Sequence, residues 1–368
     1  MRIKAAVMYE RKAPLQVEDL DLLAPRHGEV LVKVAAAGVC HSDLHAITGD
    51  VPSPYPCVLG HEGAGVVQEV GPGVTNVRPG DHVLLLWRAT CGRCEYCTTG
   101  RPALCDVGSE IRWTGRLADG SARFRRGDRE ILHFAGVSSF ASHTVLPSIA
   151  VLPIRRDVPL DRAALIGCGV MTGVGAALNT ARVEPGTAVA VFGCGGIGLN
   201  VVQGARLAGA NQIIAVDIFA NKLDMARGLG ATDAVNASEV DPVAAIKDLT
   251  GGAGVHYAFD AIGNPKVVRQ AFDATRRGGT VVVVGIAPVQ QDLAVNASTL
   301  VYQEKRLLGS LYGSSRFAVD MPRLLDLYMA GRLKLDELIS RRYPIEGIND
   351  AFAALERGEV ARSIIVYD

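Results

Sequence analysis

Hydrophobic and polar positions follow one pattern in the first part of the chain and a different one after about residue 160. In residues 1–155, short β-branched runs such as Glu29–Ala36 and Ala64–Val70 are separated by turns such as Gly71-Pro72-Gly73. Runs of this kind predict short strands that end at glycine and proline. Their spacing along the chain is typical of a small β-barrel.

From about Ala163 the apolar runs alternate between strand and helix spacing. Two strand-like runs are each followed by a helical segment: Ala188–Phe192 by Gly198–Ala208, and Gln212–Val216 by Asn221–Leu229. Three more strands are predicted at Tyr257–Asp260, Thr280–Val284 and Arg306–Leu311. Strand–helix–strand alternation indicates a doubly wound parallel sheet.

The C-terminal segment returns to mixed structure, with a helix predicted around Asp320–Ala330 and a strand at Ser363–Tyr367. We expect this segment to rejoin the first domain. The chain is therefore predicted to be an α/β protein with a β-barrel. Its catalytic domain would comprise residues 1–170 and 311–368, and a cofactor-binding domain of residues 171–310 would be inserted between them.

Composition and charge exclude several classes of protein. The 38 Lys and Arg residues balance 38 Asp and Glu residues, which argues against nucleic acid as the main partner. No apolar run reaches the ~18 residues that a membrane span needs. Met1–Val7 is typical of a strand and not of a targeting segment, so we expect a cytoplasmic protein. The polar, arginine-rich stretch Ile111–His133 is expected to be an exposed loop.

Half of the eight cysteines lie in one short loop with the spacing Cys-x-x-Cys-x-x-Cys-x7-Cys: Cys91, Cys94, Cys97 and Cys105. Two intervening residues let a tight turn aim both sulfurs at one ion, and four thiolates complete a tetrahedral zinc shell. Two disulfides or an iron–sulfur cluster are the alternatives, and an intracellular location disfavours the disulfides. The pattern predicts a structural zinc that stabilises the loop and takes no part in catalysis.

A second set of ligand candidates consists of Cys40, His61 and Cys168. Three protein ligands would leave the fourth zinc position to water or substrate, as a catalytic zinc requires. Zinc in such a site acts as a Lewis acid toward an alcohol. Cys57 and Cys194, the two remaining cysteines, are expected to be structural.

Polar neighbours of these ligands are candidates for the remaining parts of a site that would oxidise an alcohol. Ser42 and His45 are suited to carry the proton of the alcohol to bulk water. Asp43 is suited to orient His61 by a hydrogen bond, and Glu62 to lie behind the metal. These four residues are the catalytic candidates.

A Gly-x-Gly-x-x-Gly loop lies between a predicted strand and a predicted helix, where it can bind a dinucleotide pyrophosphate at the helix N-terminus. Its candidate residues are Gly193, Gly195, Gly196, Ile197 and Gly198. Asp217, at the end of the second strand, can accept hydrogen bonds from an adenosine ribose and would repel a 2′-phosphate, which predicts NAD over NADP. Lys222 is either a further ribose contact or a solvated helix residue.

Together these motifs resemble the zinc-dependent, medium-chain alcohol dehydrogenases over essentially the whole chain. The residues that carry the resemblance are Gly60–Val67 (GHEGAGVV), the four-cysteine loop, Cys40 with Ser42 and Asp43, Cys168, and Gly193–Gly198. The resemblance implies a GroES-like catalytic domain and a Rossmann domain, with two zinc ions and NAD. It also implies Ser42 and His45 in a proton relay, Arg362 on the cofactor phosphates, and a homodimer or tetramer, of which we expect the dimer.

Three further residues are interpreted through the resemblance. His41 occupies a position where several members use arginine against the pyrophosphate, so we expect looser, pH-sensitive cofactor binding. Trp87 occupies the position of an aromatic wall of the substrate pocket, which favours flat or linear allylic and benzylic alcohols. Residues 119–144 resemble the long-chain members, including glutathione-dependent formaldehyde dehydrogenases. Arg112 is then either an exposed residue or the ligand of an anionic substrate group.

The predicted reaction is hydride transfer between a primary alcohol or aldehyde and NAD. One alternative is a thiol-dependent formaldehyde dehydrogenase that oxidises the S-hydroxymethyl adduct. A zinc-stapled, NAD-binding structural protein without turnover is the non-enzymatic alternative. The complete set of zinc ligands and relay residues argues against that last interpretation.

Overall fold

A computed structural model describes all residues from 1 to 368, and these form two compact units. The first unit comprises Met1–Cys168, Arg316–Gly331 and Leu335–Asp368. The second comprises Gly169–Ser315 together with the short segment Arg332–Lys334. The first unit is thus discontinuous in sequence, and its breaks lie near the predicted boundaries at residues 170 and 311.

Short strands dominate the first unit because its β-branched runs are interrupted by turns. Its strands up to residue 153 are β1 (Arg2–Met8), β2 (Gln16–Leu22), β3 (Glu29–Val39), β4 (Cys57–Val58), β5 (Gly63–Val70), β6 (His82–Leu85), β7 (Phe124–Arg126), β8 (Arg129–His133), β9 (His143–Pro147) and β10 (Val151–Pro153). Strands β1, β2, β7, β8 and β4 close into a barrel. A second sheet contains β10, β6, β5 and β3, with β9 also paired to β3.

The helices of this part are short and connect the strands. They are α1 (His41–Thr48), α2 (Glu95–Thr98), α3 (Asp106–Thr114) and α4 (Leu160–Leu165). Helix α1 follows directly on β3, so the residues at their junction are held by the sheet.

The second unit is a parallel sheet with intervening helices, as predicted. Its helices are α5 (Met171–Gly175), α6 (Gly196–Leu207), α7 (Ala220–Leu229), α8 (Pro242–Leu249), α9 (Pro265–Ala274) and α10 (Ala297–Tyr302). Its strands are β11 (Ala188–Phe192), β12 (Gln212–Asp217), β13 (Asp233–Asn236), β14 (Val255–Asp260), β15 (Thr275–Val283) and β16 (Arg306–Gly309). The order β13-β12-β11-β14-β15-β16 and the parallel pairing confirm a doubly wound fold.

The C-terminal segment completes the sheet of the first unit. It contains α11 (Phe317–Met329), β17 (Ile339–Tyr343), α12 (Ile348–Glu356) and β18 (Arg362–Val366). Strand β18 pairs antiparallel with β3, and Ser363 lies opposite Val39. This pairing carries the end of the chain to the residues that immediately precede α1.

The expectation of an exposed loop at Ile111–His133 was wrong. Strands β7 and β8 lie in this stretch and belong to the barrel, with Phe124 fully buried. Arg123 is also fully buried, and its guanidinium lies 2.5 Å from Glu29 and 2.7 Å from Asp119. Two carboxylates neutralise the charge that would otherwise exclude this arginine from the interior. The polar composition of this stretch therefore reflects buried ion pairs as well as solvent-exposed residues.

One helical segment, residues 160–181, is long and apolar enough to cross a membrane by length and composition. However, 83% of its apolar window is buried inside the fold, so packing accounts for its composition. The segment includes a π-helical turn at Ile166–Val170 that contains Cys168. Such turns are frequent at functional sites because they re-aim a side chain.

Candidate active site

Three separate parts of the first unit bring one group of ligand atoms together. Cys40 is the N-cap residue of α1, His61 and Glu62 precede β5, and Cys168 lies in the π-helical turn. Their ligand atoms all lie within 4.8 Å of one another, and all four residues are buried. The distance from His61 Nε2 to Cys168 Sγ is 3.3 Å. We call Cys40, His61, Glu62 and Cys168 the catalytic cluster.

The catalytic cluster fits a zinc ion. Ligand atoms on a tetrahedral zinc lie roughly 3.5 Å apart, because Zn–S is ~2.3 Å and Zn–N is ~2.0 Å. A hydrogen bond from Cys168 lowers the pKa of Cys40 well below the usual value of a thiol. The same contact raises the pKa of Cys168 above the usual value, so the two thiols share one negative charge until zinc binding deprotonates both.

Asp43 fixes the orientation of His61. The Asp43 Oδ1 atom lies 3.1 Å from His61 Nδ1 and also accepts a hydrogen bond from the Gly60 backbone N–H at 3.0 Å. With Nδ1–H donating to the carboxylate, the lone pair of Nε2 faces the two cysteines. The contact between these two residues is the one expected from the sequence.

Glu62 of the catalytic cluster forms a buried ion pair with Arg362. Burial raises the pKa of Glu62 to about 7, although the Arg362 guanidinium opposes this increase. The sequence resemblance implied that Arg362 binds cofactor phosphates. In the structure the guanidinium contacts a carboxylate of its own chain.

Helix α1 also carries the two predicted relay residues. Ser42 Oγ lies 3.9 Å from Cys40 Sγ, and His45 lies three residues further along, on the same side of the helix. No hydrogen bond joins Ser42 directly to His45. The ring of His41 lies 6.5 Å from that of His45, measured between centroids.

The four-cysteine loop forms a second cluster of ligand atoms. The sulfur atoms of Cys91, Cys94, Cys97 and Cys105 all lie within 4.8 Å of one another. Backbone N–H groups point at the sulfurs, from Cys91 to Cys105 at 3.3 Å and from Cys94 to Cys91 at 3.4 Å. All eight cysteines of the chain are free thiols. The set fits a closed tetrahedral zinc site, which would stabilise this loop.

Aromatic rings flank His61. Trp87 meets the imidazole edge-on at 6.4 Å between centroids, and the buried Phe134 does so at 5.9 Å. The Arg112 guanidinium lies over both rings, 5.5 Å from Trp87 and 5.2 Å from Phe134. Burial and the neighbouring Arg88 lower the pKa of Arg112 to about 10, so it stays positively charged at neutral pH. The half-buried position of Arg112 favours the substrate-ligand interpretation over the exposed one.

The Gly-x-Gly-x-x-Gly loop of the second unit has the backbone that phosphate binding requires. Gly193 has φ = +90°, which favours glycine. Gly195 is the N-cap of α6 and has open space where a side chain would project. Gly196 and Ile197 form the first turn of that helix. No side chain caps α6, so no side-chain oxygen of the chain occupies its N-terminal N–H groups. The N–H groups of α6 therefore fit a dinucleotide pyrophosphate.

Asp217, at the end of β12, is hydrogen-bonded to this loop. One carboxylate oxygen accepts a hydrogen bond from the Cys194 backbone N–H at 2.7 Å, and the other accepts one from Ile218 at 2.8 Å. The carboxylate is thereby fixed at the strand end, where a ribose would bind. The Lys222 ammonium lies 4.8 Å from the centroid of the Phe219 ring.

Comparison with known proteins agrees with this arrangement. Residues 26–156 match the family model described as the alcohol dehydrogenase GroES-like domain, and residues 196–329 match that of the zinc-binding dehydrogenases. A class-3 alcohol dehydrogenase of Cereibacter sphaeroides is 43% identical, and the match covers 100% of both chains. The chain belongs to the zinc-dependent, medium-chain alcohol dehydrogenase family. It is an oxidoreductase that uses zinc and NAD, and its class III-like character agrees with the resemblance seen in the sequence.

Two other relatives bear on the substrate. An S-(hydroxymethyl)glutathione dehydrogenase of Paracoccus denitrificans is 42% identical, with 100% of both chains covered. The crystal structure of benzyl alcohol dehydrogenase from Acinetobacter calcoaceticus has a TM-score of 0.95 and 34% identity, again over 100% of both chains. Membership in this family favours an enzyme over a structural zinc protein.

The structure adds residues that spacing did not reveal. Phe134, Arg88 and Asp50 each lie beside a predicted site residue, namely His61, Trp87 and His45. None belongs to a motif with fixed spacing. Of these, only Asp50 could have been found from the sequence, because it follows α1 by two residues and can fold back onto the last turn.

Proposed function

We propose that this dehydrogenase oxidises primary alcohols with a flat allylic or benzylic group to the corresponding aldehydes, with NAD as the hydride acceptor. The observation that carries the proposal is the pair of rings, Trp87 and Phe134, placed edge-on to His61 in the catalytic cluster. Aromatic walls favour flat hydrocarbon groups. They also narrow the space available to the second substituent of a secondary alcohol.

In this proposal Cys40, His61 and Cys168 hold the catalytic zinc, and Asp43 keeps His61 in the ligating tautomer. Zinc, when bound, supplies Lewis acidity toward the alcohol oxygen. The overall reaction converts RCH2OH and NAD⁺ to RCHO, NADH and one proton. Ser42 and His45 guide this proton from the alcohol toward solvent.

The cofactor contacts are likewise proposals. The glycine loop at 193–198 would bind the pyrophosphate, and Asp217 and Lys222 the adenosine ribose. His41 would contact the phosphates, with weaker attraction than an arginine provides. Arg362 would reach a phosphate only through guanidinium nitrogens that do not contact Glu62.

A panel of alcohols assayed with NAD tests the substrate class. We expect kcat/KM for benzyl and allylic alcohols to exceed that for branched secondary alcohols by at least about tenfold, the smallest discrimination that one misfitting methylene group provides. Trp87→Ala should reduce this ratio, whereas Trp113→Ala, at an exposed tryptophan outside the ring pair, should preserve it. Equal turnover of branched secondary alcohols by the unmodified enzyme would contradict the proposal.

Arg112 favours a second candidate, the thiol-dependent oxidation of formaldehyde through its S-hydroxymethyl adduct. Its guanidinium lies over the two rings that flank His61, where it would attract the carboxylate of a peptide-like thiol. One relative is an S-(hydroxymethyl)glutathione dehydrogenase. The two rings would accommodate a flat alcohol, whereas the Arg112 guanidinium would bind the carboxylate of the thiol adduct.

Adding glutathione to a formaldehyde assay separates these candidates. If the adduct is a substrate, Arg112→Gln should raise its KM about tenfold or more and leave benzyl alcohol oxidation nearly unchanged, because a charge-assisted contact of ~1.5–3 kcal/mol is lost. Arg129→Gln, on the exposed end of the β7–β8 hairpin, is the matched control. Turnover of formaldehyde that does not respond to glutathione would exclude the second candidate.

We also propose a cytoplasmic homodimer. Strand β16 has a partner on one side only, and Val301 and Tyr302 just before it are 71% and 86% exposed. An unpaired edge next to exposed apolar residues suits a two-fold contact with a second copy. Tyr302→Glu should then halve the mass measured by light scattering, whereas Val240→Glu, at another exposed apolar position, should not change it.

A further inference from the structure

We propose that Asp50 is the positioning residue of the proton exit: it holds His45 in the tautomer that accepts the alcohol proton and stabilises the charged ring that results. This inference rests on the proposed alcohol oxidation, in which His45 passes the proton to solvent. It adds a carboxylate and a hydroxyl group, those of Asp50 and Thr48, to the relay predicted from the sequence.

The backbone at the end of α1 places Asp50 beside His45. Gly49, the C-cap residue, has φ = +86°, which reverses the direction of the chain after Thr48. The backbone N–H groups of Gly49 and Val51 both donate to the carbonyl oxygen of His45, at 3.0 and 3.2 Å. The residue between them is therefore held by the last turn of the helix.

Two side chains converge on one oxygen of Asp50. Its Oδ2 atom lies 3.2 Å from His45 Nδ1 and 2.6 Å from the Thr48 hydroxyl, which donates to it. The His45 side chain is 24% exposed and that of Asp50 is 41% exposed. The imidazole is thus accessible to water, and one of its nitrogens is engaged by a fixed acceptor.

This geometry determines how His45 handles a proton. When Asp50 accepts a hydrogen bond from Nδ1–H, the neutral ring has its lone pair on Nε2. Nε2 can then take up the proton that the alcohol loses while its hydride goes to NAD⁺. The carboxylate at 3.2 Å stabilises the imidazolium until that proton passes to bulk water. His45 and the Asp50 carboxylate that orients it have the relationship of His and Asp in hydrolase triads.

Asp50 is a fixed anion at neutral pH. The Thr48 hydroxyl, His45 and Lys12 lower the pKa of its carboxyl below the usual value. Besides Lys12, the charged or titratable neighbours of this turn are His41, whose ring lies 6.5 Å from that of His45, and Arg11, whose side chain lies against Gly49. Asp50 is the anion hydrogen-bonded to His45 in this group, so its removal leaves the imidazolium among positive neighbours.

Substitution of Asp50 by asparagine tests the role. At pH 7 we expect Asp50→Asn to lower kcat for alcohol oxidation about tenfold with little change in KM, less than the ~10²–10⁴-fold of a general base itself, because Asp50 acts through His45. The pH of half-maximal rate should move downward, because the protonated ring loses its stabilising anion. Added imidazole buffer should restore the rate of the variant more than that of the unmodified enzyme. Asp50→Glu should recover part of the rate, and Thr48→Val should show a smaller decrease.

Asp128→Asn is the control for loss of one surface charge, since Asp128 is exposed at the tip of the β7–β8 hairpin. It should match the unmodified enzyme in rate and in pH profile. An Asp50→Asn variant with unchanged kcat, pH profile and buffer response would overturn the inference while the alcohol oxidation stands. Absence of turnover by the unmodified, zinc-loaded enzyme would instead overturn the proposed function.

Discussion

Glu62 and Arg362 are 300 residues apart in the sequence and form a buried ion pair at the catalytic cluster. The contact exists because β18 pairs with β3, which places Ser363 opposite Val39, the residue before the zinc-ligand candidate Cys40. The last strand of the chain therefore belongs to the site and not only to the sheet. Glu62 Oε1 has no hydrogen-bond partner, so Arg362 is the principal counter-charge of this carboxylate.

Loss of Arg362 should therefore destabilise the protein. We expect Arg362→Met to reduce the free energy of unfolding by about 3–5 kcal/mol, the cost of leaving a buried charge unpaired. Urea unfolding of the zinc-loaded proteins measures this loss of stability. The double variant Glu62→Gln/Arg362→Met should recover part of the loss. Arg342→Met, which breaks a half-exposed pair with Asp161 at 3.2 Å, should cost about 1 kcal/mol or less. Equal losses in the two arginine variants would contradict this account.

The catalytic cluster and the four-cysteine loop should respond differently to mutation. Cys40→Ser should abolish turnover while the protein stays folded and retains the zinc of the four-cysteine loop. Cys94→Ser should lose that zinc and lower the thermal midpoint, because metal binding contributes to the stability of this loop. Elemental analysis and calorimetry on the same samples measure both effects. Near-normal activity of Cys40→Ser would refute the assignment of the catalytic site.

The cofactor preference should depend on Asp217. Asp217→Asn removes the negative charge that a 2′-phosphate would meet, so the ratio of kcat/KM for NAD over NADP should fall at least about tenfold. The variant should also melt at a lower temperature, because the carboxylate accepts backbone N–H groups of Cys194 and Ile218. Asp224→Asn, on the exposed face of α7, should change neither quantity. An unchanged cofactor ratio would place the specificity elsewhere.

Much of the fold could be predicted because its signals are local. Apolar periodicity indicated the strands and helices, and cysteine spacing indicated the four-cysteine cluster. The ligands of the catalytic cluster were found through their residue types and through the family resemblance. Arg123 could not be interpreted this way, since its neutralising partner Glu29 is 94 residues away. The pairing of Arg362 with Glu62 depends on a distant contact in the same way. The sequence alone does not show whether the fold will place an oppositely charged residue beside a given charged residue.

The buried His133 should make stability depend on pH. Burial lowers its pKa to about 3, and its Nε2 accepts a hydrogen bond from the Arg123 backbone N–H at 3.1 Å. In the unfolded chain the imidazole takes up a proton below about pH 6.5, whereas in the folded protein it does not. This contribution is therefore fully present above pH 6.5 and is lost as the pH falls toward 3, with a limit of about 5 kcal/mol.

His133→Gln keeps an acceptor near the position of Nε2 and removes the titration. Urea unfolding of both proteins between pH 7.5 and pH 5 gives the comparison, and the difference between them cancels the titration of the zinc ligands. The unmodified protein should lose up to about 1.4 kcal/mol per pH unit more than the variant below pH 6.5. Parallel stability curves would mean that His133 is hydrated or protonated in the folded state, and that its site in the barrel is less closed than the structure indicates.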